Sequence, residues 1–248
     1  MALKNTFLIR MGRLNIETFF RRARKITLWR IQLRVDRLLP SKLDQFMKQV
    51  PGVIHVGANN GGERDKYAKY GLRVLWIEPI PDVFEILQEN IRGYVGQKAL
   101  RCLVTDLDNS EYEFHIANND GLSSSIFDFG LHSELNPEIV YERSIKLRST
   151  KLTSLLMKES IRASDYPALV IDTQGSELLV LKGATEILNE FRFIKVEVAD
   201  FEVYKGCCQL EDIDLFMKHN SFREIARSKF AEHASGGSCY DILYKNVA

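Results

Sequence analysis

Two short runs carry residue types at spacings that can hold a nucleoside. Val53-Ile54-His55-Val56-Gly57-Ala58-Asn59-Asn60-Gly61-Gly62-Glu63 is an apolar stretch that enters a glycine-containing turn ahead of a helical stretch. Glycine there lets backbone N–H groups come close to a bound ligand. A steric reading competes, because any tight strand-to-helix connection favours glycine. The second run, Val74-Leu75-Trp76-Ile77-Glu78-Pro79, ends in an acid 21 residues after Gly57. A carboxylate so placed can accept both hydroxyls of a ribose, although a strand-end acid can also simply face water. The turn departs from GxGxxG: the position two after Gly57, where a diphosphate needs glycine, is Asn59. A side-chain amide there suits the amino-acid portion of S-adenosylmethionine better than a diphosphate.

The elements that must position these residues alternate between short apolar runs and helical stretches, the pattern of βαβ units around a largely parallel sheet. Strands are predicted near Val53 to Val56, Arg73 to Ile77, Leu100 to Val104, Ala168 to Asp172, Phe193 to Val198, Phe222 to Ala226 and Tyr240 to Lys245. Helices are predicted over Arg64 to Tyr70, Pro81 to Asn90, Leu178 to Asn189 and Leu210 to His219. The segment from Asp106 to Pro167 is long for a connection and holds one alternating, strand-like piece, Glu111 to Ile116. Polar residues follow at Asn118 to Ser125. Insertions of this length tend to be functional loops, and Gly121 to Phe129 is expected to form part of a lid over a substrate.

Four ordered blocks are similar to the FkbM methyltransferases: His55-Val56-Gly57-Ala58-Asn59 with Gly61, Ile77-Glu78-Pro79-Ile80-Pro81, Ile171-Asp172-Thr173-Gln174-Gly175-Ser176-Glu177, and Val180-Leu181-Lys182-Gly183-Ala184. The resemblance spans roughly Val53 to Asn246 and leaves the N-terminal arm outside. It implies an α/β, Rossmann-like class I methyltransferase fold with a mostly parallel seven-stranded sheet and helices on both faces. It further implies S-adenosylmethionine as cofactor, with Glu78 on the ribose, Pro79 beside it, and His55, Gly57, Asn59 and Gly61 around the methionine. Thr105 and Asp106 would lie near the adenine, although Asp106 serves equally well as a turn former. The family commonly has Asp where this chain has His55, so the contact with the methionine amine is expected to differ, and a buried, hydrogen-bonded histidine is favoured over a catalytic one.

Methyl transfer to a hydroxyl profits from a base. Asp172 and Glu197, at adjacent strand ends, are the candidates if burial raises their pKa. Asp172 could instead bind the methionine amine or hold Gln174, and Glu177 could neutralise a helix N-terminus. Ser124, Ser125 and Gln174 are expected to meet the acceptor. Asp172, Glu197 and Asp200 are weak grounds for Mg²⁺, and no metal is expected. No Pro-Pro-aromatic sequence follows Asp172, which speaks against amine acceptors and for oxygen. The resemblance points to a hydroxyl of a sugar, glycan, lipid-linked saccharide or related metabolite. A non-catalytic cofactor-binding module and a nicotinamide-dependent sugar-modifying enzyme remain the alternatives.

Charge divides the chain. Met1 to Lys42 holds eleven Lys/Arg against two acids, while the remainder holds 23 basic and 31 acidic residues. Leu28, Ile31, Val35, Leu38 and Leu39 share one helical face with Arg30, Arg34 and Arg37 opposite, so residues 1–42 are expected to form a basic amphipathic arm ahead of a methyltransferase domain at 43–248. The arm could pack on the acidic body, pair subunits, or dock residues 17–39 on an anionic membrane; no nucleic-acid partner is expected. Four cysteines without Cys-x-x-Cys spacing and no signal-type apolar run fit a cytoplasmic protein, peripheral at the inner membrane face if the arm docks there.

Overall fold

The computed structural model describes residues 41–234 and 236–248; the expected basic arm, apart from Ser41 and Lys42, lies outside them. Residues 45–248 form one unit. Its main sheet is built from β1 (Gly52–Val56), β2 (Arg73–Glu78), β3 (Gln97–Arg101), β7 (Ala168–Ile171), β8 (Phe193–Ala199), β9 (Phe222–Glu232) and β10 (Ser238–Asn246). Their order is β3-β2-β1-β7-β8-β10-β9. The first five are mutually parallel, and β10 runs antiparallel to both β8 and β9. Every residue of β1 and β7 is buried, as expected of central parallel strands covered on both faces.

Reversal of strand order between β1 and β7 opens a crevice at their carboxyl ends, where open α/β sheets bind ligands. Four helices connect the strands: α1 (Arg64–Lys69) and α2 (Pro81–Ile91) in the first half, α5 (Glu177–Gly183) and α6 (Leu210–His219) in the second. In α2 a proline stands at the helix start, and Val83, Leu87 and Ile91 repeat every four residues on the buried face. Each such side chain contributes about 1.5–3 kcal/mol by leaving water. A reciprocal capping box between Gln209 and Asp212 starts α6, and Ile213 and Met217 anchor it in the core formed with Leu169, Ile194 and Val196. Among the described residues no helix is long and apolar enough to cross a membrane.

The structure corrects the expected elements in four places, the simplest being β9, which continues six residues past its predicted end at Ala226, to Glu232. The strand predicted over Leu100 to Val104 is broken at Cys102: β3 pairs with β2, whereas β4 (Leu103–Val104) leaves the main sheet and pairs with β6 (Tyr141–Thr150). The connection at 106–167 is therefore not one long loop. It carries β5 (Glu111–Ala117), β6, and the helices α3 (His132–Leu135) and α4 (Leu152–Lys158), with β4-β6-β5 as a second sheet. That sheet packs Leu103, Phe114 and Ile116 on Ile80 and Val83 at the start of α2. Finally, the helix predicted over Leu178 to Asn189 is two pieces, α5 and a 3-10 turn at Thr185–Glu190. At the junction Gly183 comes so close to Thr105 that a Cβ would sit 2.1 Å from its carbonyl oxygen.

Candidate active site

The turn after β1 is shaped by close approach of backbone to backbone. A Cβ on Gly57 (φ +83°) would lie 1.7 Å from the carbonyl oxygen of Asp172, so only glycine lets the ends of β1 and β7 come together. Asn59 holds φ 44°, and its side-chain amide donates to the carbonyl of Asp120 at 2.9 Å. Its own N–H donates to Glu78 Oε2 at 2.8 Å, while Ile80 N–H donates to Oε1 at 2.9 Å. Glu78 thus ties two turns together from a buried position. Burial pushes its pKa up to about 7 against the pull of those two N–H groups. A carboxylate has about four acceptor sites, so each oxygen can take a further hydroxyl.

These residues edge a cleft of about 570 Å³, counted to its open mouth, lined by Gly57, Asn59, Glu78, Pro79, Ser124, Asp172 and Gln174 and by apolar Ile80, Leu103, Val104 and Phe114. Its few polar groups converging on an apolar lining are what a cofactor site requires. A second cavity of about 960 Å³ adjoins it, lined among others by His132, Gln174, Glu177, Glu197, Tyr204 and Phe230. The two share Leu122, Asp172 and Gln174.

At that junction Gln174, in a left-handed conformation with φ 54°, donates through Nε2 to Asp172 Oδ1 at 2.6 Å, with Glu197 Oε1 at 3.5 Å. Its Oε1 accepts from the Tyr204 hydroxyl at 2.6 Å, and its carbonyl from Ser125 Oγ at 2.7 Å. Glu177, buried at the first position of α5, accepts the N–H groups of Thr173 and Gly175. Burial pushes Asp172 and Glu197 up; Glu177 and Glu63 raise Asp172 further, and Asp172, Asp241 and Glu177 raise Glu197, while the Gln174 amide opposes the shift at Asp172. Neighbouring acids cannot all ionise freely, and Asp172, pushed up to about 7, holds a proton into the neutral range.

Several expected site residues are placed elsewhere. His55 lies under the sheet, not at the cleft: its Nδ1 faces the Tyr67 hydroxyl at 3.1 Å, its ring stacks on Trp76 at 5.1 Å, and burial lowers its pKa. Gly61 turns the chain against Leu87, where a Cβ would meet Cδ1 at 2.7 Å. Thr105 and Asp106 are carried off the cleft by the break at Cys102; the Thr105 hydroxyl is engaged with the backbone of Leu107. Leu103 and Val104 stand at the cleft instead. Ser124 lines the first cleft and not the second cavity, Ser125 donates to the Gln174 carbonyl, and Asp200 accepts from Ser238 N–H at 2.7 Å, fixing the start of β10. The segment Gly121 to Phe129 is pinned by the His115–Ser125 and Phe129–Tyr204 bridges, leaving Leu122 exposed between the cavities.

Sequence reasoning missed Tyr204 and His132 as cavity residues. Tyr204 is buried, its ring 5.5 Å from that of His132, which stacks on Phe129 at 4.3 Å. The signal was an aromatic cluster, Phe127, Phe129 and His132, inside a polar insertion.

The chain is 26% identical over 224 residues to a protein described as 2-O-methyltransferase NoeI of Sinorhizobium fredii (strain NBRC 101917 / NGR234), covering 87% of this chain and 86% of that one. Among solved structures it is similar to magnesium protoporphyrin IX methyltransferase (ChlM) of Synechocystis PCC 6803 with bound SAM, at TM-score 0.46, 9% identity and coverage of 82% and 77%. It is also similar to M. capricolum TrmK in complex with S-adenosyl-homocysteine, at TM-score 0.44, 9% identity and coverage of 84% and 69%. Likeness this distant adds nothing to the reading of the site. A sequence profile described as the methyltransferase FkbM domain matches residues 55–224, which is well over half of the chain. The fold is that of a class I methyltransferase, the methyl donor is S-adenosylmethionine, and the chain belongs to the FkbM methyltransferase family.

Proposed function

We propose that this methyltransferase methylates a hydroxyl group on an uncharged saccharide or related polyol. The observation that carries the reading is the shared wall: two cavities, one fit for the donor and one for an acceptor, meet at Asp172 and Gln174.

The cleft residues fit the donor. Glu78 offers acceptor sites for ribose hydroxyls, Ile80, Leu103 and Phe114 offer apolar contact for a base, and Gly57 and Asn59 offer backbone and amide groups for an amino-acid end. When bound, S-adenosylmethionine supplies an electrophilic methyl group on a positively charged sulfur. The chain's own contribution is positioning and a place for the proton. As the acceptor oxygen gains the methyl group, its proton passes to a carboxylate of the Asp172–Glu197 pair, which burial makes a stronger base than an ordinary acid. Holding both partners across one wall can itself supply much of the rate.

Electrostatics favours a neutral acceptor. Among the described residues the second cavity is lined by Asp172, Glu177 and Glu197 and by no Lys or Arg, so a carboxylate or phosphate on the bound ring would be repelled and unpaired. Tyr204 and His132 give it aromatic surface. The 2-O-methyltransferase name of the NoeI relative agrees with oxygen as the accepting atom. Mass spectrometry of glycans and lipids from a strain lacking the gene tests the reading: loss of a methyl ether from a saccharide is expected, and an unchanged methyl-ether profile alongside loss of an N-methyl group would count against it.

A further inference from the structure

We propose that Tyr204 is a positioning residue that locks the Gln174 amide with its nitrogen toward Asp172 and Glu197, and so keeps the pair ready to take a proton. The inference rests on the proposed role of that pair in the reaction and adds the group that orients it.

Either end of Gln174 could face Asp172: nitrogen inward serves a carboxylate, oxygen inward serves a protonated carboxyl. The choice is therefore tied to the proton. Nitrogen inward, Nε2 lies 2.6 Å from Asp172 Oδ1 and 3.5 Å from Glu197 Oε1, and the Tyr204 hydroxyl donates to Oε1 at 2.6 Å. With the amide reversed, Tyr204 would have to accept from Nε2 and send its own hydrogen elsewhere. The alternative acceptor is the Ser123 carbonyl at 3.5 Å, too long for a good O–H···O bond. Reversal would leave a buried phenol hydrogen poorly partnered, which costs free energy.

The parts around this contact are rigid. Phe129 pairs with Tyr204 across an isolated bridge. The Tyr204 ring lies against Gly175, where a Cβ would stand 3.2 Å from Cδ2 and 2.9 Å from Cys207 Cβ. Ser125 fixes the Gln174 carbonyl from the other side. Burial holds the phenol in its protonated, donating form.

The charged groups facing the pair would otherwise favour its protonated form. Glu177 on α5 and Glu63 after the β1 turn raise Asp172, Asp172 in turn raises Glu78 at the end of β2, and Asp241 on β10 raises Glu197. Lys195 on β8 opposes them, and it also pairs with Asp241 at 2.7 Å. Tyr204 and Gln174 thus act on a balance that neighbouring acids tilt toward protonation.

Carboxyl NMR of the full chain, labelled with ¹³C at Asp and Glu side chains and assigned with Asp172→Asn, reads the effect without any acceptor. Tyr204→Phe should raise the Asp172 titration midpoint by about half to one pH unit, the roughly three- to tenfold shift expected for one net hydrogen bond. Gln174→Met should raise it as well, and adding Tyr204→Phe to that variant should add nothing. A midpoint that stays or falls in Tyr204→Phe overturns the inference. If that variant does not fold, a midpoint unmoved in Gln174→Met overturns it instead. The two readings fail separately: saccharide methylation that survives in both Asp172→Asn and Glu197→Gln would remove the base assignment while the Tyr204 shift stood, whereas an unmoved midpoint leaves methyl transfer untouched.

Discussion

Glu78→Gln should weaken S-adenosylmethionine binding far more than its near-identical shape implies. The wild-type carboxylate already takes Asn59 N–H at 2.8 Å and Ile80 N–H at 2.9 Å, and its remaining acceptor sites are those available to the ribose. The glutamine keeps one oxygen and sets an NH₂ group against a backbone N–H. Losing a charged acceptor costs about 1.5–3 kcal/mol, which is roughly 10- to 150-fold in Kd. Proton linkage gives a second signature. Hydroxyl donors favour the ionised form, and burial has pushed Glu78 up to about 7 in the free protein. Wild-type affinity should therefore fall as pH drops below that value, by up to about tenfold per unit, and this dependence should vanish in the glutamine variant. Isothermal titration calorimetry across neutral pH measures both, with thermal melting to show that the variant is folded. An unchanged Kd, or the same pH dependence in both proteins, would refute the ribose assignment.

Three further outcomes follow from the geometry. Asp172→Asn should lower kcat by about 10²–10⁴, the usual span for loss of a general base, with donor Kd changed much less; equal loss in both, measured by turnover and calorimetry, would make Asp172 a donor ligand instead. Gly57→Ala should destabilise the protein by about 3 kcal/mol or more, because the clash with the Asp172 carbonyl adds to left-handed strain; a loss of unfolding free energy under about 1 kcal/mol in denaturant titration would contradict the required close approach. For the arm we propose docking on an anionic bilayer, with Arg21, Arg22, Arg24, Lys25, Arg30, Arg34 and Arg37 each adding about 1 kcal/mol near the surface. Co-sedimentation should occur with anionic and not neutral vesicles and be lost in a chain shortened to start at Leu43; binding that survives the truncation would sink the idea.

The centre of the main sheet was legible because β1, β2 and β7 are nearly unbroken apolar runs between turn residues, and α6 was legible to the residue because its apolar period and both ends are marked. The second sheet was hidden by charge. In β6 the apolar alternation reduces to Ile145 and Leu147 among Arg143, Lys146 and Arg148, since one face meets water. The break at Cys102 has no sequence marker: Leu100 to Val104 reads as one strand, and only pairing with the unseen β6 decides that Leu103 and Val104 leave the sheet. The same break misplaced Thr105 and Asp106. Glu78 could be named because it ends a strand at a fixed distance after the Gly57 turn, and Asp172 and Gln174 because their block resembles the FkbM methyltransferases. Tyr204 enters from a loop 30 residues beyond Gln174, a distance that no local pattern spans.

The most direct test of the account supplies the purified full chain with S-adenosylmethionine labelled on its methyl group and with paired acceptors, neutral glycosides and the matching uronosides. Product mass spectrometry and linkage analysis then locate the label. The account predicts label on an oxygen of the neutral sugar, with little on the uronoside, and its loss in Asp172→Asn. Label on nitrogen, or a preference for the uronoside, would contradict it.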